Sequence, residues 1–328
     1  VRLRLDPFLL ALLGVALLGT FLPVTGEGLD VLDVVVKAAV ALLFFLYGVR
    51  LSPAETWHGL RGWRLHVAIL AMTYVAFPLM GLLAQAATEP VLPAGLATGV
   101  LLLTLVPSTV QSSVAFTAIA RGNVAGAVVG ASLSNLLGVA LTPLLVGLLL
   151  AGSGEVTVSG STVLSIVLQL LVPFALGTLS RPLTAATVKR WHPVLSRYDR
   201  LTILLVVYAA FSKGAEADVW SHVDVASALV VVAVCAALLA AALGLCVLLG
   251  RAIRLAPADR APLLFCGSHK SLAAGLPMLS VLFASDDFAL AVLPLMLFHQ
   301  LQLVVCAWLA GRMGRRAEAA EGAETQDA

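Results

Sequence analysis

Apolar positions run in long stretches along this chain, separated by short polar segments, and the pattern predicts helices of membrane-spanning length. Crossing a bilayer takes roughly 20 predominantly apolar residues. Stretches near that length lie at about 7–25, 30–51, 64–87, 94–120, 123–150, 161–180, 198–214, 223–250, 261–284 and 286–311, which predicts ten transmembrane helices. Two of them are interrupted. The fourth meets Pro107 and then Ser108, Thr109, Gln111, Ser112 and Ser113 before turning apolar again. The ninth breaks at Gly267-Ser-His-Lys-Ser271, with Gly275 and Pro277 following. Backbone groups left unpaired in hydrocarbon are costly, so such breaks persist only against protein or a wet cavity. Hydroxyls, an amide and freed carbonyls at membrane depth make a binding site of the kind transporters build from discontinuous helices.

Composition agrees with this pattern. The chain has 328 residues, 60% hydrophobic and 12% charged; a soluble domain carries about twice that charge fraction. An all-α polytopic membrane protein with little extramembrane mass is expected, and no nucleic-acid partner. Cys235, Cys246, Cys266 and Cys306 all fall in apolar stretches, where they read as small hydrophobes and not as a disulfide framework.

The placement of charge sets the topology. With a cytoplasmic amino terminus and ten crossings, 17 of the 20 basic residues fall on the inner side, from Arg2 and Arg4 through Arg50, Lys189, Arg190 and Arg260 to Arg316. The outer loops carry Glu27, Glu89, Glu155, Glu216, Asp218, Asp286 and Asp287. Both termini are therefore expected in the cytoplasm. The opening Val1-Arg-Leu-Arg4 and its apolar run have the outline of a signal peptide, but no small-x-small cleavage pattern follows, so the first helix is expected to be retained. One membrane domain over 1–328 is expected, with repeats at about 1–150 and 161–312. The acidic Ala/Glu/Gly-rich tail 317–328 reads as disordered.

Five plus five helices, with breaks at matching places in each half, suggest two repeats of opposite orientation. The candidate chemistry gathers at those breaks. Ser108, Thr109, Gln111, Ser112 and Ser113 offer oxygens suited to a hard cation such as sodium; interhelical hydrogen bonding is the other reading. In the fifth span Ser132, Ser134 and Asn135 follow Gly126 and Gly130, a spacing that serves packing as well as ligand contact. Lys270 lies ten residues inside its span from Arg260, and a lysine near mid-membrane costs at least about 2.5 kcal/mol. It pairs with an anionic substrate or stands as an internal ammonium in the place of a transported cation. His269 beside it is suited to carrying protons or is a satisfied buried histidine. Asp33 and Lys37 are spaced as an i,i+4 ion pair. Of Gln300 and Gln302, beside His299 in the tenth span, at most one faces the centre. No Asp or Glu lies deep in a span apart from Asp33 near an edge, so the centre is net positive and suits an anionic or zwitterionic substrate. A hydrolase would need Ser268 or Ser271 with His269 and an acid to orient it, and no such acid is near; no enzyme is expected.

Pro107–Ser113, the run Ala120-Arg-Gly-Asn-Val-Ala125 into Leu141-Thr-Pro143, and Phe265–Gly275 resemble the bile acid:sodium symporter superfamily, nearest its divergent SBF-like branch. The resemblance covers nearly the whole chain. It implies ten helices in two inverted five-helix repeats, a panel domain of helices 1, 2, 6 and 7, and a core of 3, 4, 5, 8, 9 and 10. Helices 4 and 9 would break and cross at the sodium sites. It places candidate sodium ligands at Ser112 and Ser113, near Ser132 and Asn135 in the fifth helix and near Thr73 in the third, and its adjacent ninth-helix pair falls on Ser268 and His269. With the residues read from the breaks themselves, the candidate sodium ligands are Ser112, Ser113, Thr109, Ser132 and Thr73, and the substrate or coupling candidates Lys270, His269, Ser268, Ser271, Gln111 and Asn135. The acidic ligand of the ninth helix falls on or near Phe265 and is missing here. The resemblance implies a secondary active transporter in the bacterial plasma membrane, moving a small organic anion with sodium by alternating access. A proton-coupled transporter using His269 and Lys270, and a non-transporting membrane regulator of the same fold, are the alternatives.

Overall fold

The computed structural model describes residues 7–50, 62–150, 160–218, 221, 223–282 and 288–324. Among them every regular element is a helix. These are α1 (Pro7–Phe21), α2 (Glu27–Arg50), α3 (Trp63–Thr88), α4 (Ala94–Leu105), α5 (Gln111–Ile119), α6 (Val124–Leu150), α7 (Gly160–Arg190), α8 (His192–Glu216), α9 (Val225–Ala252), α10 (Pro257–Ser268), α11 (Leu272–Leu282) and α12 (Phe288–Glu324). Arg2, Arg4, Arg61, Glu155, Asp286 and Asp287 of the charge pattern lie outside the described residues, as does the tail from 325 to 328.

Four uninterrupted helices among the described residues are long and apolar enough to cross a bilayer alone: Trp63–Thr88, Val124–Leu150, Val225–Ala252 and Phe288–Ala319. Phe21, Leu83, Leu148, Leu183 and Leu229 point outward, each more than half exposed. Apolar surface on that scale suits lipid and not water.

The helices pack in two groups. In one, α2 lies along α7 and against α8, and α1 lies along α8. A Cβ on Gly48 would sit 2.0 Å from Phe174 O, and one on Gly177 2.0 Å from Phe45 O, so glycine at both positions is what lets α2 and α7 touch. In the other, α4 packs on α12 and on the second half of α3, α9 on α10 and α12, and α3 on α6.

The two interruptions have matching geometry. The residue before α4, Pro93, has φ −51° and ψ 141°, and the residue before α10, Ala256, φ −53° and ψ 145°. Both helices run 12 residues and end in an extended residue, Val106 (φ −79°, ψ 155°) and His269 (φ −86°, ψ 148°). The chain resumes as helix at Gln111 and at Leu272.

Three details depart from the sequence pattern. Asp33 does not pair with Lys37: it receives Lys213 Nζ from α8, while Lys37 is exposed. An i,i+4 spacing offers a partner, but tertiary packing put Asp33 on the face toward α8. The sixth and seventh apolar stretches belong to longer helices that nearly meet, α7 ending at Arg190 and α8 beginning at His192. The segment 317–324, disordered by its composition, continues α12 as helix to Glu324, and Glu318 pairs with Arg121 at 3.0 Å.

Candidate functional site

The two breaks lie against each other, and their backbone groups are satisfied by one another and by neighbouring helices. Ser271 N–H donates to Pro107 O at 2.8 Å, and the hydroxyls of Ser108 and Ser113 donate to Cys266 O and Phe265 O. Ser134 Oγ accepts from Ser108 N–H at 3.0 Å, and Asn135 Nδ2 donates to Ser108 O at 2.7 Å. Thr142 Oγ1 donates to Leu105 O. Below the second break Gln302 Oε1 accepts from Lys270 N–H and its Nε2 donates to Lys270 O, both at 2.8 Å. Irregular backbone is thus paired group by group, as burial of its polar groups requires.

Lys270 is fully buried. Its Nζ donates to Thr73 O at 3.0 Å, Thr104 O at 2.7 Å and Val106 O at 2.9 Å, and lies 4.2 Å from the centre of the Phe77 ring. The carbonyl of Thr73 is free for a local reason. Residues Met72–Ala76 form a π turn, in which Phe77 N–H reaches back to Met72 O. The next residue, Pro78, has no N–H, so Thr73 O loses its regular helical donor.

Its neighbour His269 meets different groups. His269 Nδ1 lies 2.9 Å from Ser113 Oγ and 3.1 Å from Thr109 Oγ1, with Ser112 Oγ at 3.5 Å. Thr109 Oγ1 is itself 2.6 Å from Ser112 Oγ and 3.0 Å from Ser113 Oγ. Phe116 and Phe265 pack on the imidazole, and its buried Nε2 has no hydrogen-bond partner among the described residues.

A cavity of about 730 Å³ opens beside this centre. Its inner wall holds Thr109, Gln111 and Ser112 from the first break, Ser271 to Ala274 from the second, and Ser132, Asn135 and His299. It extends to Tyr47, Arg50, Asp199 and Arg200 at one end of the bundle. There Arg50 holds Asp199 through both terminal nitrogens, at 2.6 and 3.3 Å.

The structure therefore gathers Thr109, Ser112, Ser113 and His269 into one cluster and joins Lys270 to Thr73. It does not bring the remaining candidates into that cluster. The Thr73 hydroxyl bonds its own helix at Ile69 O, and Ser268 does the same at Leu264 O. Ser271 Oγ accepts from Ala274 N–H at the start of α11. Asn135 holds the first break, and Ser132 faces the cavity. Of the two glutamines Gln302 is the buried one. The sequence reading missed Asp199 with Arg50, and it missed Phe77 and the carbonyls around Lys270. Pro78 within an apolar helix was the available signal for the freed carbonyl.

A helical bundle with an outward apolar surface, built around a polar centre where two interrupted helices meet beside a cavity, defines a multi-pass membrane transporter. The chain belongs to the SBF-like CPA transporter family, whose model matches residues 6–315. It is 47% identical to an uncharacterized protein of Pseudomonas aeruginosa, over 97% of this chain and 96% of that one. It is 44% identical to the Escherichia coli K12 protein YfeH, named as a candidate symporter, over 96% and 94% of the two chains. It is 27% identical to the sodium/bile acid cotransporter 7-B of Xenopus laevis, over 93% and 90%. The resemblance read from the two breaks is thereby borne out.

Proposed function

We propose that this transporter moves a small organic anion by alternating access, coupled to sodium. The observation that carries the reading is the cavity. Its inner wall contains the first turns of α5 and α11, whose amino-terminal N–H groups favour negative charge. Its charged side chains are Arg50, Arg200 and Asp199, a positive balance. For the coupling ion, the hydroxyls of Thr109, Ser112 and Ser113 form a compact set of neutral hard donors, and the Xenopus laevis relative is named a sodium cotransporter.

In this reading the chain crosses the membrane ten times, α4 with α5 and α10 with α11 each making one interrupted crossing. The matching dihedrals at Pro93 and Ala256 and at Val106 and His269 support two inverted repeats. The group of α1, α2, α7 and α8 is the panel, the rest is the core, and the core rocks against the panel. The cavity reaches the end rich in basic residues, so the conformation is open to the cytoplasm of a bacterial plasma membrane, where both termini lie.

The test begins with thermal unfolding of the purified protein against sodium, lithium, potassium and a panel of organic anions, since a bound ligand stabilises by mass action. Anions that stabilise the protein are then followed into proteoliposomes under an imposed sodium gradient. Sodium-dependent stabilisation and gradient-driven uptake are expected. Uptake driven by a proton gradient and indifferent to sodium would assign coupling to protons through His269. A folded protein that binds and moves no anion would leave a non-transporting regulator.

A further inference from the structure

Around Lys270 the chain builds a cage from its own backbone. Three carbonyls, of Thr73, Thr104 and Val106, come from α3, the end of α4 and the first break, and converge on one point; the face of Phe77 closes a further side. Carbonyl oxygens and an aromatic face are the groups that replace water around a monovalent cation. Each carbonyl is free for a reason that does not involve lysine. The π turn and Pro78 release Thr73 O, Ser108 N–H is diverted from Thr104 O to Ser134 Oγ, and Val106 is extended. Among the described residues no carboxylate is a partner of Nζ, so the group is not half of an ion pair.

We propose that this cage is a monovalent-cation site which the chain keeps filled with its own Lys270 ammonium. The tethered charge joins the π turn of α3 to the broken end of α4 and keeps sodium or potassium out of that position. The cage is separate from the hydroxyl cluster: His269 turns to the hydroxyls while Lys270 turns to the carbonyls. The inference therefore goes beyond the proposed transport and holds whichever anion or coupling ion is used.

The experiment uses the full chain in detergent. Lys270→Ala removes the equivalent of n-propylammonium and leaves the three carbonyls in place. Its thermal unfolding is measured in sodium, potassium, n-propylammonium and tetramethylammonium chlorides at equal ionic strength. The variant is expected to melt well below the wild type. It should regain several degrees more than the wild type gains, saturably, in at least one of the three small cations. Tetramethylammonium, too large for the cage, should give no such gain, and the wild type and Lys270→Met, whose apolar chain fills the space, should show only the sodium stabilisation proposed for the hydroxyl cluster. A folded Lys270→Ala that gains no more than the wild type in any of the three small cations would overturn the proposal, as would an equal response to tetramethylammonium. Should Lys270→Ala not fold, wild-type protein labelled with 15N at the lysine side chains decides. A slowly exchanging ammonium signal, distinct from those of Lys37, Lys189 and Lys213, is expected; a neutral amine at Lys270 overturns the cage.

Discussion

Gln302 holds Lys270 by the backbone, its carboxamide accepting from the N–H and donating to the C=O of the same residue at 2.8 Å each. One side chain of α12 thus does for the second break what a neighbouring strand does in a sheet. Gln302→Leu removes both bonds, although His299 Nδ1 remains 3.2 Å from the carbonyl. The expected cost is about 1–3 kcal/mol, the penalty for a buried polar group left unpaired. Thermal unfolding beside Gln300→Leu, at a half-buried position two residues away, checks it. Equal losses in the two variants would deny Gln302 this role.

Arg50 and Asp199 tie α2 to α8 at the wall of the cavity, with side chains 24% and 21% exposed. Water and salt screen such a pair, so its coupling energy should be about 1 kcal/mol and not more. A double-mutant cycle with Arg50→Gln and Asp199→Asn, run at low and high salt, reads it directly. The coupling should shrink as salt rises. A coupling that ignores salt would mean the pair is held away from solvent.

Asn135 and Ser132 sit one turn apart on α6 and both border the cavity, yet they should respond differently to truncation. Asn135 Nδ2 donates to Ser108 O in the first break, so Asn135→Ala should cost about 1–3 kcal/mol. Ser132→Ala should change stability by less than about 0.5 kcal/mol. Unfolding curves for both variants separate the roles. An Asn135→Ala protein as stable as wild type would return that residue to ligand contact.

The breaks were legible because proline and clustered hydroxyls stand out in apolar helices, and Lys270 because a charge at that depth demands a reason. What surrounds Lys270 was not legible. Backbone carbonyls carry no residue signature, and their release depends on a π turn that a periodicity argument does not see. Asp33 misled because the local spacing offered Lys37 while the fold supplied Lys213 from the other half of the chain. The tail misled for the opposite reason. Ala and Glu read as disorder in an isolated segment, but they are strong helix formers, and 317–324 extends a helix already nucleated.

The orientation proposed for the bundle predicts opposite labelling at residues just beyond the two ends of α8. Its 25 residues cover roughly 37 Å at 1.5 Å per residue, enough to separate the two faces of a bilayer. The native cysteines are buried and are removed first. In intact cells Ala217→Cys should react with an impermeant thiol reagent, and Arg190→Cys should react only after the membrane is opened. The reverse pattern would place both termini outside.

The hydroxyl cluster makes the sodium proposal specific. Thr109, Ser112 and Ser113 lie within 3.0 Å of one another through Thr109 Oγ1, and Ser113 also meets His269 Nδ1. Ser112→Ala with Ser113→Ala removes two of the three oxygens, and the loss of roughly 1.4 kcal/mol of ion binding is a tenfold weaker response. The sodium midpoint for thermal stabilisation or uptake should therefore rise by about tenfold or more. Because Ser113 also donates to Phe265 O, the variant should melt lower even without sodium, so the comparison rests on the midpoint and not on the melting temperature itself. An unchanged sodium midpoint in a folded double variant would leave these hydroxyls the work of joining α5 to α10 and move the coupling ion elsewhere.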